Sequence, residues 1–370
     1  MTLWNEFNIH NRMAIRVDRD APTAALLTDM FRPFQAKGLD RHDLTIAGVM
    51  EPMRNASFGE TEFQYTDSAI TINAMNVQIA RDGDGFRLHG DRELLVSALP
   101  LIDHILVERG VAMVHALTID YNGVGVCMPA WGGVGKTSTM AKLLKIPGFS
   151  FMGDDWAFLT EDSQLLSYAK PMFIKPHHRP IYPHLFAKKK KPLVPVRLSR
   201  PLGRLTTLVH PVITQYPRLA RATRALSPEH MMVTPQQAFP QASFSDEAPL
   251  GVSIFVERFD GTSAVLEEPD RAWMVSRLVG NFHAELSRSS RETITALGAT
   301  GLAPIERFFA DKATILNRAL GTKPTYLLKV PAAWSPDRAS DTIVAHIQDV
   351  LGGIGSHAQQ ESHFLTAADD

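Results

Sequence analysis

Apolar residues in the first hundred positions recur with two periods. In TAALLTDMFRPF (residues 23–34) they fall at helical spacing, whereas TEFQYT, SAITINA and NVQIAR alternate as short strands separated by turn residues. Together these predict a small α+β unit over residues 1–100. The stretch DRELLVSALPLIDHILVERG (91–110) carries an apolar stripe that opens at Asp91 and closes at Gly110. It predicts a capped helix joining that unit to the rest of the chain, bent or broken at Pro100.

From Val111 the texture changes. VAMVHALTID and VGVCMP are apolar strands around YNG, the hairpin signal of a tight primed turn. The second strand runs into the glycine-rich AWGGVGKT, and KTSTMAKLLK reads as the following helix. FSFMGDD is a buried strand ending in carboxylates, and WAFLTED and LLSYAK continue as paired strands turning at Asp162 and Ser163. Dense prolines between Pro171 and Pro240 predict irregular loops with short elements and a flap. GVSIFVERF and PTYLLKVP read as strands; EPDRAWMVSRLVGNFHAEL, APIERFFADKATILNRAL and DTIVAHIQDVL read as helices. The resulting division is 1–100, 101–352 and a disordered tail over 353–370, with no internal repeat.

Hydrophobic residues make up 45% of the 370 positions and charged residues 21%, enough apolar material for a full core, so the chain is expected to be globular. The single cysteine, Cys127, excludes an intramolecular disulfide and a cysteine-built metal site, and suits a reducing cytoplasm. No leader-like start and no long uncharged apolar run is found, so the expectation is cytoplasmic with no membrane partner. A net charge of −1 argues against a dedicated nucleic-acid binder. Yet residues 163–228 contain no Asp or Glu while holding Lys170, Lys175, Arg179, four consecutive lysines at 188–191, Arg197, Arg200, Arg204, Arg218, Arg221 and Arg224. Aromatics suited to base stacking are sparse there, limited to Phe173, Tyr182, Phe186 and Tyr216, so nucleic acid is disfavoured for this stretch too.

AWGGVGKT carries the chemistry. A phosphate-binding loop needs successive backbone N–H groups facing one concavity, a lysine for the β- and γ-phosphates and a hydroxyl for Mg²⁺. Gly132, Gly133, Val134, Gly135, Lys136, Thr137 and Ser138 supply that pattern between a strand and a helix N-terminus. The departure is Ala130 in place of the first glycine, a methyl that costs about 1 kcal/mol if its position needs positive φ. Asp154 and Asp155 end the next strand, where a carboxylate holds the metal of a phosphoryl-transfer site. The plain alternatives are a glycine-rich turn with a surface lysine, and a GDD turn with Asp154 as a local cap. His115, on an apolar strand, reads by itself as a hydrogen-bonded core residue.

The order VHALTID, Asn-Gly hairpin, GKTS loop, short helix and FMGDD resembles the C-terminal domain of HPr kinase/phosphorylase and the phosphoenolpyruvate carboxykinases. It is most similar to bacterial HPr-kinase-related proteins, which also have a small N-terminal unit and a KP segment like YAKPMFIKP. The motifs span Met113–Lys175; residues 251–351 are similar in general shape. The resemblance implies an α/β fold, a P-loop core with a mixed sheet plus a small N-terminal α+β domain, and an ATP- and Mg²⁺-dependent hydroxyl kinase. It gives Lys136 to the phosphates, Thr137 and Asp155 to Mg²⁺, Asp154 the role of general base, and His115 that of orienting an aspartate. In the carboxykinases both aspartates sit near metal, so roles within the pair stay open. The arginine- and glycine-rich signature of true HPr kinases is not found after the loop, which argues against HPr as acceptor and against phosphorylase activity. The carboxykinase substrate motifs are not found either, which argues against oxaloacetate chemistry.

Lys170, Lys175 and Arg179 follow the aspartate strands and are the expected contacts to triphosphate or acceptor, with Arg258 a further candidate whose plainer role is a surface ion pair. Residues 188–191 read as a solvated loop. The basic segment points to an anionic peptide, protein or metabolite carrying the acceptor hydroxyl. HPr kinase is a hexamer, so a homo-oligomer is left open. The rival reading is a nucleotide-binding regulatory protein that has lost catalysis and docks an acidic partner, with Ala130 as its support.

Overall fold

The computed structural model describes residues 3–50, 52–54, 56–59, 62–91, 93–175, 178–186 and 231–366, the last thirteen as backbone only. Contacts divide the chain into two units, Met1–Lys170 with Ser243–Asp370, and Pro171–Ala242. Each is described separately.

The first unit begins with strands β1 (Trp4–Ile9), β2 (Met13–Asp18), β3 (Gln35–Ala36), β4 (Leu44–Ala47), β5 (Ser57–Gly59), β6 (Phe63–Tyr65), β7 (Ala69–Ile72), β8 (Val77–Asp82) and β9 (Gly85–Gly90). They form one mixed sheet in the order β3-β1-β2-β4-β9-β8-β7-β6-β5. In β2 the buried Met13, Ile15 and Val17 alternate with half-exposed neighbours, the period of a strand with one covered face. That alternation was present in the sequence beside the three strands read from it.

Helix α1 (Ala24–Phe31) lies between β2 and β3 in the chain, and α2 (Leu94–Val107) follows β9. Their Leu27, Leu101 and Ile105 join Phe7, Ile15, Ile46 and Leu88 in one apolar cluster, which continues through Val111, Met113, Trp156 and Phe158 of the strands downstream. The α2 helix starts after Glu93 with no side-chain cap and runs through Pro100, so the expected Asp91 cap and break at Pro100 do not form. Proline cannot donate to the carbonyl four residues back. Ser290 Oγ donates to that Val96 carbonyl at 2.7 Å instead, and the helix survives.

Next come β10 (Val111–Tyr121), β11 (Val124–Pro129), α3 (Lys136–Leu143), β12 (Phe149–Gly153), β13 (Trp156–Thr160) and β14 (Gln164–Leu166). Asn122 (φ 51°) and Gly123 (φ 85°) make the tight turn between β10 and β11, as the Asn-Gly pair predicts.

The second unit holds β15 (Met172–Ile174), α4 (Pro183–Phe186), β16 (Met231–Val233) and α5 (Pro235–Ala238). β15 and β16 pair antiparallel, and Thr234 and Gln237 form a capping box on α5. The lysines at 188–191 and the arginines from Arg197 to Arg224 lie outside the described residues.

The first unit resumes with β17 (Ser243–Phe244), β18 (Glu247–Phe259), β19 (Val265–Glu267), α6 (Arg271–Glu285), α7 (Arg288–Ala299), α8 (Ile305–Leu320), β20 (Thr325–Pro331) and α9 (Pro336–Thr366). β18 lies parallel to both β11 and β20 and antiparallel to β14. Because β10 pairs with both β11 and β13, the run β10-β13-β14-β18-β11 closes on itself. Met274 and Leu278 of α6 and Phe308 and Leu316 of α8 pack with Ala112, Val114 and Ala116 of β10. α7 was not read from the sequence; Ser287 caps it by accepting from Ser290 N. The backbone of α9 stays helical to Thr366, past the point where a disordered tail was expected to begin. No helix among the described residues is long and apolar enough to cross a membrane.

Candidate functional site

The glycine-rich loop leaves the C-terminal end of β11 and enters α3. Ala130 is fully buried and still strand-like, bridging Val256 of β18. Positive φ falls instead at Gly133 (82°) and at Gly135 (117°), the N-cap of α3. The Ala130 methyl therefore brings no backbone strain, and the cost foreseen for it does not arise. A Cβ added at Gly133 or Gly135 would meet nothing within 4 Å, so the backbone there faces open space. Gly132 N–H donates to Glu285 Oε1 at 2.8 Å, Val134 is buried, and Thr137 and Ser138 lie half-buried in the first turn of α3.

Lys136 Nζ donates to the Ala130 carbonyl at 2.8 Å and sits 3.4 Å from His115 Nε2. Burial pushes its ammonium below the usual range, against the opposing pull of Asp155, Glu285 and Asp154. His115 Nε2 is also 2.9 Å from Asp155 Oδ1, and Lys170 Nζ is 2.9 Å from Asp155 Oδ2. Strand pairing explains the meeting: β10 and β13 place His115 opposite Trp156, and Ala116 N donates to the Asp155 carbonyl at 3.0 Å. Asn281 of α6 fixes the ring from behind, donating from Nδ2 to the His115 carbonyl at 2.9 Å and facing Nδ1 at 3.4 Å. The Asp155 carboxylate can only accept, so at 2.9 Å Nε2 carries a proton and donates to it.

The two aspartates differ in environment. Burial alone would raise Asp155, but Lys170 and His115 outweigh it and hold the carboxyl well below the usual carboxylate range. Asp154 is pushed up to about 6, by burial first, with Lys170 opposing and Asp155 adding to the rise. Two neighbouring carboxylates thus separate into a firm anion and a group poised near neutrality, a pattern suited to acid–base work.

Lys170, foreseen as a contact to triphosphate or acceptor, is 4% exposed and serves as counter-ion to Asp155. Burial, which would lower its ammonium, is outweighed by Asp155 and Asp154, and it titrates above its usual range. Arg258 lies two residues beyond the Val256 bridge to Ala130 and donates to the Pro331 carbonyl at 2.9 Å, a backbone contact and not the surface ion pair foreseen for it. Lys175 and Arg179 belong to the other unit, where Arg179 stacks over Phe186.

The donor chemistry fits magnesium. Among the described residues no three His, Cys, Asp or Glu side chains assemble a metal cage. Mg²⁺ needs none, taking one or two carboxylates with phosphate oxygens and water, and Asp154, Asp155 and the Thr137 hydroxyl are hard oxygen donors. Each Asp155 oxygen keeps a lone pair beyond its ion pair.

Two site residues escaped the sequence reading. Asn281 and Glu285 stand one turn apart on α6, and the only local signal was a polar residue at 281 within the stripe of Met274, Leu278 and Phe282. The chain matches no protein-family model and no curated protein.

Proposed function

We propose that the chain is an ATP- and Mg²⁺-dependent kinase of the HPr kinase-like type. It would transfer the γ-phosphoryl group to a hydroxyl on an anionic peptide, protein or metabolite. The observation that carries the reading is that the Lys136 ammonium and the Asp155 carboxylate both lie within reach of one imidazole nitrogen of His115. Lysine at the loop and acid at the strand end therefore belong to one cluster.

In this reading, backbone N–H groups from Gly132 to Ser138 and the N-terminus of α3 hold the phosphates, and Lys136 swings from the Ala130 carbonyl to the γ-phosphate. Magnesium, held by Asp155 and the Thr137 hydroxyl, supplies charge neutralisation at the transferred group. As the bond from acceptor oxygen to phosphorus forms and the bridging bond to ADP breaks, Asp154 accepts the hydroxyl proton. His115 and Lys170 keep Asp155 anionic, and Asn281 holds His115 in place. Arg258, in the same unit as the loop, is a candidate cation for an anionic acceptor. The regulatory rival leaned on Ala130, and a strain-free Ala130 removes that support.

The test is incubation of the full chain with γ-labelled ATP, Mg²⁺ and a fractionated cell extract, followed by mass spectrometry of whatever gains phosphate. A labelled acceptor that disappears with Lys136→Ala and with Asp154→Asn is expected. Nucleotide binding with no transfer to any species, or transfer undiminished in either variant, would refute the reading.

A further inference from the structure

The contact between Glu285 and the loop has no part in that mechanism. Gly132 sits where a phosphate-binding loop presents its amides outward, yet its N–H is held at 2.8 Å by a carboxylate oxygen. A Cβ at residue 132 would lie in ordinary van der Waals contact with both Glu285 oxygens, at 3.5 and 3.7 Å, so the carboxylate sits directly against the loop backbone. Glu285 is the last residue of α6, the helix end whose dipole disfavours a carboxylate. Its position is fixed nonetheless, because Asn281 one turn earlier is buried and bonded to His115. Glu285 also counts among the anionic charges acting on the Lys136 ammonium, ahead of Asp154. A carboxylate thus occupies one kind of group a phosphate needs, a loop amide, and its charge is felt by the other, the loop lysine.

We infer that Glu285 is a built-in competitor for the phosphate cradle, so that nucleotide binds by displacing its carboxylate from Gly132 and residue 285 sets nucleotide affinity. This rests on reading the loop as a phosphate cradle, and not on any transfer step. One N–H cannot serve a carboxylate and a phosphate oxygen together, and two anions at that spacing repel. Apparent affinity falls by the fraction of molecules in which the cradle is free. Removing the carboxylate tightens binding by the reciprocal of the uncapped fraction, about tenfold where that fraction is about one in ten.

The experiment is calorimetric titration of the full chain with MgATP and, separately, with pyrophosphate, for the unsubstituted chain, Glu285→Gln, Glu285→Ala and Lys136→Ala. Glutamine keeps the shape and loses the charge, so a graded tightening is expected for both probes: a few-fold for Glu285→Gln and about tenfold for Glu285→Ala, with weakening for Lys136→Ala. The isosteric Glu285→Gln keeps the test alive if Glu285→Ala misfolds. Binding that Lys136→Ala weakens but that folded Glu285→Gln leaves unchanged or weaker overturns the role of Glu285 alone. Failure of every protein to bind either probe overturns the cradle reading, and this inference with it.

Discussion

Replacing Lys170 with methionine keeps the length of the side chain and removes the lysine cation paired with Asp155. The pair is closely made, Nζ to Oδ2 at 2.9 Å, with the lysine 4% and the aspartate 33% exposed. Removing one partner of a buried ion pair costs roughly 3–5 kcal/mol. Asp155 keeps His115 and is one-third open to water, so screening brings the expected loss to about 2–3 kcal/mol. In a chain of this size that lowers the thermal midpoint by about 3 °C. The pH dependence carries a second signature. Asp155 is depressed, so its stabilisation is present above the unfolded carboxylate value of about 4 and is lost only as pH falls through its lower folded value. Lys170 is raised, so its share persists until pH rises past the lysine range. Asp154 is raised and also feels Lys170, so the variant bears a further cost that appears only where Asp154 is ionised, above about pH 6. Midpoints from circular dichroism in metal-free buffer should therefore differ by about 3 °C at pH 5 and by more at pH 8. A difference under about 1 °C throughout, or one that narrows from pH 5 to pH 8, would refute the charge network described here.

Asp154 itself gives an opposite result. Its raised pKa means that ionisation costs folding free energy above pH 6, so Asp154→Asn should abolish transfer yet gain on the order of 1 kcal/mol at pH 8 and nothing at pH 4, read from denaturant midpoints. The kcat/KM of the unsubstituted chain should fall as pH drops below about 6, and an acid limb at pH 4 would remove Asp154 as the base. Ser290→Ala leaves the Val96 carbonyl freed by Pro100 without its donor and should cost about 1–2 kcal/mol of stability; no measurable loss would mean that water replaces the hydroxyl.

Much of the loop region was legible because its signals are local. Apolar runs in β10 and β11, Asn-Gly between them, glycines that take positive φ at 133 and 135 and a helix beginning at Lys136 are written in consecutive residues, and the structure forms them in that order. Reading became unreliable where a distant residue supplies what a segment lacks. Pro100 should bend or break α2 on local grounds, yet the helix is continuous and a serine far along the chain bonds the carbonyl that the proline frees. Ala130 looked strained until its bridge to Val256 showed the strand running one residue further than the motif suggests.

The sequence by itself determined the strand–loop–helix around Lys136 and the adjacent carboxylates of Asp154 and Asp155, since backbone preference and side-chain period act over a few residues. Only the tertiary structure decided that Lys170 turns inward to Asp155, that Asn281 orients His115 and that Glu285 rests on Gly132. Those partners come from β10, the loop after β11, the turn before β13, the segment after β14 and α6, parts separated by long stretches of chain. Their meeting depends on the pairing of strands and the packing of α6 over β10, which no local periodicity encodes.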